Sequence, residues 1–253
     1  VSEKPLRIPA IVLAGGKAKP DMIAAFGQEN RALVSLRGRT MLDHVIDALQ
    51  GAECISSIVV TGNVPDSSRY RAVPDQGGFV ENIFTGLEQV EDASRVLICT
   101  SDIPFITAEV VEDFCINGNA LLADMVYPIV PVETCLQKYP GMRRTALSLK
   151  EGRYTGGNMM LVNPDFMQAQ RERIAHAYAA RKSPLRLALM LGIGAAIRVA
   201  LAMTILPHIL TIPSLEASAG RLVGGTARAY ISPYPEIATD IDRAEDLQAA
   251  QTL

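Results

Sequence analysis

Ile11-Val12-Leu13-Ala14-Gly15-Gly16-Lys17-Ala18-Lys19 decides how the chain is read. A short β-branched apolar run predicts a buried strand, and two glycines then break it. Without a Cβ, Gly15 and Gly16 let the backbone approach a ligand closely. Backbone N–H groups in such a loop, with Lys17 and Lys19 beside them, suit an anion such as a nucleoside triphosphate. A tight strand-to-loop turn with two solvated lysines accounts for the same residues.

Working outward, the chain alternates strand and helix. Thr40-Met41-Leu42-Asp43 carries a capping-box pattern, with apolar residues at helical spacing to Leu49 and a stop at Gly51. Ile58–Gly62 reads as the next strand, and Arg31–Leu36 as a short one turned at Gly38. Asp21–Asn30 reads as a mixed segment able to fold over a ligand. Pro74-Asp75-Gln76-Gly77-Gly78 is a second glycine loop, opening a helix over Val80–Val90. Arg95–Thr100 is a buried strand with Cys99 in its core, and Thr107 caps the following helix. Strands follow at Met125–Val130 and Met159–Val162, with a hairpin over Thr145–Thr155 turning at Lys150-Glu151-Gly152. Pro164 opens a long helix toward Arg181, apolar helices follow over Leu185–Leu206, and Thr226–Ile231 is the last strand. This rhythm predicts an α/β, Rossmann-like, doubly wound and mostly parallel sheet. One domain is expected over residues 1–253, with a helical insertion at about 164–220.

Composition narrows the function. The chain has 253 residues, 49% hydrophobic and 20% charged, enough for a large core. A net charge of −3 gives no electrostatic footprint for nucleic acid or an anionic membrane, so any phosphate site must be local. Four widely spaced cysteines without a C-x-x-C pair suit reduced thiols in a cytoplasmic protein. Lys4 and Arg7 lead into a strand and not into a secretory leader. The longest uninterrupted apolar piece, Leu187–Ile197, holds two glycines and ends at Arg198, too short to span a bilayer. The stretch 185–206 is instead a candidate homodimer face.

Candidate chemistry sits at strand ends. In open α/β sheets ligands bind beyond the carboxyl ends of strands, where Ser101-Asp102-Ile103-Pro104 falls. Asp102 can hold a cation there or only introduce a helix. Asp240 and Asp242 bracket Ile241; one of them is expected to reach the site, and both also suit helix capping. Gly156-Gly157-Asn158 suits substrate contact or a strand-end turn. Arg143, Arg144, Lys150 and Arg153 form a basic hairpin able to grip a phosphate or merely to be solvated.

The order of Leu13-Ala14-Gly15-Gly16, Asn30-Arg31-Ala32-Leu33 with Gly38-Arg39, Thr100-Ser101-Asp102-Ile103-Pro104, Thr155-Gly156-Gly157-Asn158 and Asp240-Ile241-Asp242-Arg243-Ala244-Glu245-Asp246-Leu247 resembles the MobA-like NTP transferases. These nucleotidyltransferases of the nucleotide-diphospho-sugar transferase superfamily are named for molybdenum cofactor guanylyltransferase. The resemblance implies transfer of NMP from an NTP to a phosphorylated acceptor, with release of pyrophosphate and dependence on Mg²⁺. The acceptor would be a molybdopterin-type cofactor, a sugar phosphate or a polyol phosphate.

By the same resemblance, Lys17, Arg31 and Asp102 are catalytic, and Asp102, Asp240 and Asp242 hold metal. Leu13, Ala14, Gly15, Gly16, Lys19, Gly77, Gly78 and Asn82 bind nucleotide; Arg153, Gly156, Gly157 and Asn158 bind acceptor. The pattern departs where many members carry an arginine after the glycine loop and then a lysine. Lys19 or Pro20-Asp21 stands at the first position and Arg31 at the second, which leaves full activity open. Gln76-Gly77-Gly78 with Asn82 and Gly86-Leu87 resembles a base-reading stretch of cytidylyltransferases, with guanine and uracil still open. A non-catalytic nucleotide-binding regulator and an NDP-sugar-dependent glycosyltransferase on the same fold are the competing readings.

Overall fold

The computed structural model describes residues 6–142, 145–180 and 210–252. Its main sheet is built from β1 (Ile8–Leu13), β4 (Ile55–Thr61), β5 (Arg71–Val73), β6 (Val96–Thr100), β7 (Met125–Pro131), β8 (Leu147–Leu149), β9 (Gly152–Gly156), β10 (Met159–Val162) and β11 (Ala227–Ile231). These nine strands run in the order β5-β4-β1-β6-β10-β7-β9-β8, with β11 on the other edge of β7. Strands β5, β4, β1 and β6 are parallel, and β11 is parallel to β7. β10 runs against both β6 and β7, and β9 against both β7 and β8. The sheet is therefore mostly parallel with two reversed strands. β2 (Ser35–Leu36) and β3 (Arg39–Thr40) form a separate small hairpin.

Helices cover both faces, which is why β1 is buried at every position. Its Ala10 and Val12 face one cluster with α2 (Met41–Gly51) and α4 (Ala108–Asn119). Ile11 and Leu13 face the other, with α3 (Phe79–Leu87) and α7 (Arg171–Ala180). Cys99 belongs to the first cluster, and burial pushes its thiol up to about 12, which makes it inert at neutral pH. The capping box of α2 forms as its sequence predicts, through Thr40 and Asp43.

Several elements differ from the sequence reading. Arg31–Leu33 is a 3₁₀ turn rather than strand, because the Asn30 side chain accepts the Ala32 N–H at 3.0 Å and diverts the backbone. Pro20–Phe26 is a helix, α1, started by its proline and stopped at Gly27 in the left-handed region. The helix opened by Pro164 breaks at Gln170 into α6 (Pro164–Ala169) and α7. α5 (Val132–Lys138) and β5 carry too little periodic signal to be read from sequence. α8 (Ile212–Val223) and α9 (Ala244–Thr252) complete the α-helices among the described residues. The apolar stretch 185–206, with its expected dimer face, and Arg143 and Arg144 lie outside the described residues. Among the described residues no helix is long and apolar enough to cross a membrane.

The sheet opens at one place. β9 and β10 share one edge of β7, since β11 occupies the other. Between them the register slips by two residues: Gly156 pairs with Ile129, whereas Leu161 pairs with Val126. The two extra residues are Gly157 and Asn158. They form a bulge, the device that re-aims chain next to a site. A Cβ on Gly157 would lie 2.4 Å from Ile237 Cγ2 and 2.8 Å from Pro128 Cγ, so only glycine fits.

At the opposite end of β7, Asp124 Oδ2 accepts from the Thr226 N–H (2.8 Å) and hydroxyl (2.7 Å). Thr226 Oγ1 in turn accepts from the Asp124 N–H at 2.9 Å. The hydroxyl and then the backbone donor hold the Asp124 carboxyl below the ordinary range. A lowered folded pKa means a contribution present above the unfolded value of about 3.9 and lost as pH falls through the folded one. Asp124→Ala should cost about 1–2 kcal/mol at neutral pH, at the low end for a partly exposed group. The corresponding drop in Tm is roughly 2–8 °C. Thermal melts of both proteins should converge as pH is lowered toward about 3; a difference independent of pH would refute the charged clasp.

Candidate active site

Asp102 stands just past the end of β6 and is 4% exposed. Its Oδ1 accepts the Thr100 hydroxyl, and its Oδ2 takes the Arg31 guanidinium at 2.8 Å. Arg31 spans further, donating through its other amino group to Asp242 Oδ1. Lys19 Nζ donates to Asp242 Oδ2 at 3.1 Å. A ligand oxygen from each of Asp102, Asp240 and Asp242 lies within 4.8 Å of the others. Asp240 and Asp242 thus both reach the site, where one was expected to. The fully buried Ile241 donates its N–H to the Asp102 carbonyl at 2.9 Å, which holds this segment against the end of β6 with both flanking carboxylates at the site.

The glycine loop is tied to this cluster. The Arg31 N–H donates to the Gly16 carbonyl at 3.0 Å, and Ala18 and Glu29 are joined by a backbone bond of 2.7 Å. Beyond Lys19, Asp21 Oδ2 accepts from the Ala244 N–H at 3.1 Å, and this bond pulls its carboxyl below the ordinary range. Lys19 and Asp21 thus latch the loop onto both ends of Asp242–Ala244. The same two residues are where the sequence departs from the expected arginine. Lys17 is exposed and reaches none of the carboxylates; it pairs with Asn30 only through an isolated backbone bridge.

The second glycine loop meets the first. Asn82 Nδ2 donates to Asp75 Oδ1 at 2.7 Å, and Asn82 Oδ1 accepts from the Gln76 N–H at 2.8 Å. A Cβ on Gly15 would lie 2.4 Å from Asp75 Oδ1 and 2.6 Å from Asn82 Nδ2. Gly15 must therefore be glycine for the loops to touch. Asp75 is a site residue that sequence reasoning misses; its one signal is its place before Gly77-Gly78. Gly77 has φ +78, and its N–H donates to Asp75 Oδ1 at 3.1 Å, while Gly78 caps α3.

A cleft of about 910 Å³ runs from the carboxylates to the bulge and is lined by Lys19, Asp240, Asp242, Gly156, Gly157 and Asn158. Arg153 is exposed on β9 and does not line it, because alternation turns its neighbour Tyr154 toward the cleft instead. Asn158 is fixed by its carbonyl, which accepts from Thr100 N–H at 3.1 Å. Tyr127, also absent from the sequence reading, lines the cleft and donates its hydroxyl to the Gly157 carbonyl at 2.5 Å. Burial, then the Asp240 carboxylate, pushes that hydroxyl upward, so it stays a donor at neutral pH.

Known proteins share this arrangement of sheet and loops. Residues 10–186 match the MobA-like NTP transferase domain. A hypothetical transferase from Thermus thermophilus is 39% identical with TM-score 0.83, over 96% of this chain and all of that one. Two distant structures share the fold. CMP:2-keto-3-deoxy-manno-octonic acid synthetase complexed with CTP is 12% identical with TM-score 0.57, over 97% of both chains. 2-C-methyl-D-erythritol 4-phosphate cytidylyltransferase, also from Thermus thermophilus, is 13% identical with TM-score 0.55, over 98% of both chains. No protein of curated function matches the sequence. The glycine loop, the strand-end aspartate and the mostly parallel sheet have a common explanation: the chain belongs to the MobA-like NTP transferase family and is a nucleotidyltransferase.

Proposed function

We propose that this nucleotidyltransferase uses an NTP and Mg²⁺ to transfer NMP to a phosphorylated small molecule. The acceptor is of the molybdopterin, sugar phosphate or polyol phosphate kind. The observation that carries this reading is the meeting of Asp102, Asp240 and Asp242 with Arg31 and Lys19 beside the glycine loop. Oxygen donors of this kind suit Mg²⁺, which takes carboxylates together with phosphate and water. Although both oxygens of Asp102 are bonded, a carboxylate accepts about four hydrogen bonds, so capacity for a cation remains. Asp102 with Asp240 and Asp242 would hold the ion, which supplies charge neutralisation at the phosphates.

The protein's own part is mostly positioning. Gly15 and Gly16 present backbone to the triphosphate. Asp75 and Asn82, with Gly77 and Gly78, shape the wall against which the nucleoside rests. Arg31 forks onto phosphate oxygens as it now forks onto carboxylates, and Lys19 adds a second cation where pyrophosphate charge develops. An acceptor phosphate oxygen, steered by Asn158 and the Gly156-Gly157 backbone, attacks the α-phosphorus. The bond from that phosphorus to the bridging oxygen breaks, and pyrophosphate leaves with the electron pair.

A thermal-shift series with ATP, CTP, GTP and UTP, with and without Mg²⁺, tests the nucleotide half. Ligand bound only by the folded chain raises its melting temperature by mass action. One nucleotide should give a clear Mg²⁺-dependent rise and so name the base. Gly15→Ala should lose at least about tenfold in that affinity, the equivalent of one broken hydrogen-bonded contact or more. A flat series with the native chain contradicts the phosphate loop as drawn.

A further inference from the structure

Beside the charged cleft lies a second cavity of about 410 Å³, between α8 and the face of β7, β8, β9 and β11. Its size falls within the usual range of about 300–1,000 Å³ for small-molecule sites. Its walls are apolar, with Ile129, Leu149, Ile212, Leu215, Ala219 and Val223 among them. The charged groups in the wall are already matched. Glu216 pairs with Arg228 at 3.6 Å and accepts the Ala229 N–H at 2.8 Å. The hydroxyls of Tyr127 and Tyr154 donate to the carbonyls of Gly157 and Glu151.

The two cavities adjoin. Tyr127, Leu147, Tyr154, Thr155 and Gly156 line both. Tyr127 is 44% exposed and Leu147 41%, so large apolar surface stands bare at the junction. A molecule whose phosphate sits among Lys19, Asn158 and the glycines of the bulge has its remaining body directed past these side chains.

We infer that the acceptor is a phosphomonoester with an apolar body, alkyl or flat aryl, which the second cavity takes up. The inference rests on the transferase reading above and departs from its list of acceptors, keeping only the phosphate. A sugar or polyol would bring hydroxyl groups into walls whose polar groups are spoken for, and each would lose its hydrogen bonds to water. An apolar body gains from the same walls, at roughly fourfold in affinity per buried methylene.

Calorimetry with methyl, butyl and octyl phosphate tests this on the unmodified chain, alongside Ala219→Phe, which fills the cavity from α8. Octyl phosphate should bind at least tenfold more tightly than methyl phosphate, and Ala219→Phe should remove most of that gain while leaving the NTP-dependent thermal shift unchanged. Equal binding of the three phosphates overturns the inference. So does absence of binding by octyl phosphate alone, which would mean that the cavity does not take up an alkyl chain. Pyrophosphate release with the same three phosphates separates the two readings. Chain-length-dependent binding without turnover would count against the transfer chemistry and not against the cavity. Turnover at equal rates with equal binding would do the reverse.

Discussion

The Arg31 guanidinium, held between Asp102 and Asp242, ties the site together. It joins the end of a central strand to a loop 211 positions away from it in sequence, and its own backbone N–H holds the glycine loop at Gly16. With side-chain exposures of 22% for Arg31 and 6% for Asp102, neither charge is well solvated. A carboxylate so enclosed needs a partner, and losing one side of such a pair leaves an uncompensated charge. The planar fork matters as well: lysine, the residue expected there, can address one carboxylate at a time as a point charge, whereas arginine spans two. The departure from the family pattern is thus structurally coherent, with Lys19 taking the remaining oxygen of Asp242.

The second constraint is the two-residue slip at Gly157-Asn158. It allows one chain edge to serve two purposes, pairing with β6 in its second half and with β8 in its first. The sheet parts there, and the opening becomes the cleft. The glycines are required by contact: Ile237 and Pro128 crowd Gly157, and a Cβ on Gly156 would meet the Tyr127 hydroxyl at 2.6 Å. Charge on one side of the opening and apolar surface on the other follow from which elements line each part.

Much of this is legible in the residues. β1 and β6 can be read because both are short, continuously apolar and followed by glycine or aspartate. Asp102 can be placed because strand ends are where such sheets bind ligands. Less is legible where contacts are long-range. Asp240 and Asp242 converge because Ile241 is pinned to Asp102, and no local pattern encodes that bond. The helix at Pro20–Phe26 is hidden by its exposed, weakly periodic face, with Met22 alone buried. Asp75 becomes visible only against Gly15, which it crowds. Lys17 and Arg153 are picked out by charge and proximity in sequence; both are exposed, and neither lines the cleft.

The central claim is that the carboxylate cluster serves NTP chemistry and not merely the joining of the C-terminal loop to the sheet. Pyrophosphate release by Asp102→Asn, compared with the native chain across a Mg²⁺ titration, tests it most directly. Asparagine keeps the shape and accepts the Thr100 hydroxyl, but it loses the charge that a cation and Arg31 both require. The account predicts turnover reduced by about a thousandfold or more, the scale seen when a fixed electrostatic contact to a reacting centre is removed. It also predicts a folded protein that retains much of its nucleotide affinity. Native turnover by Asp102→Asn at ordinary Mg²⁺ would contradict it.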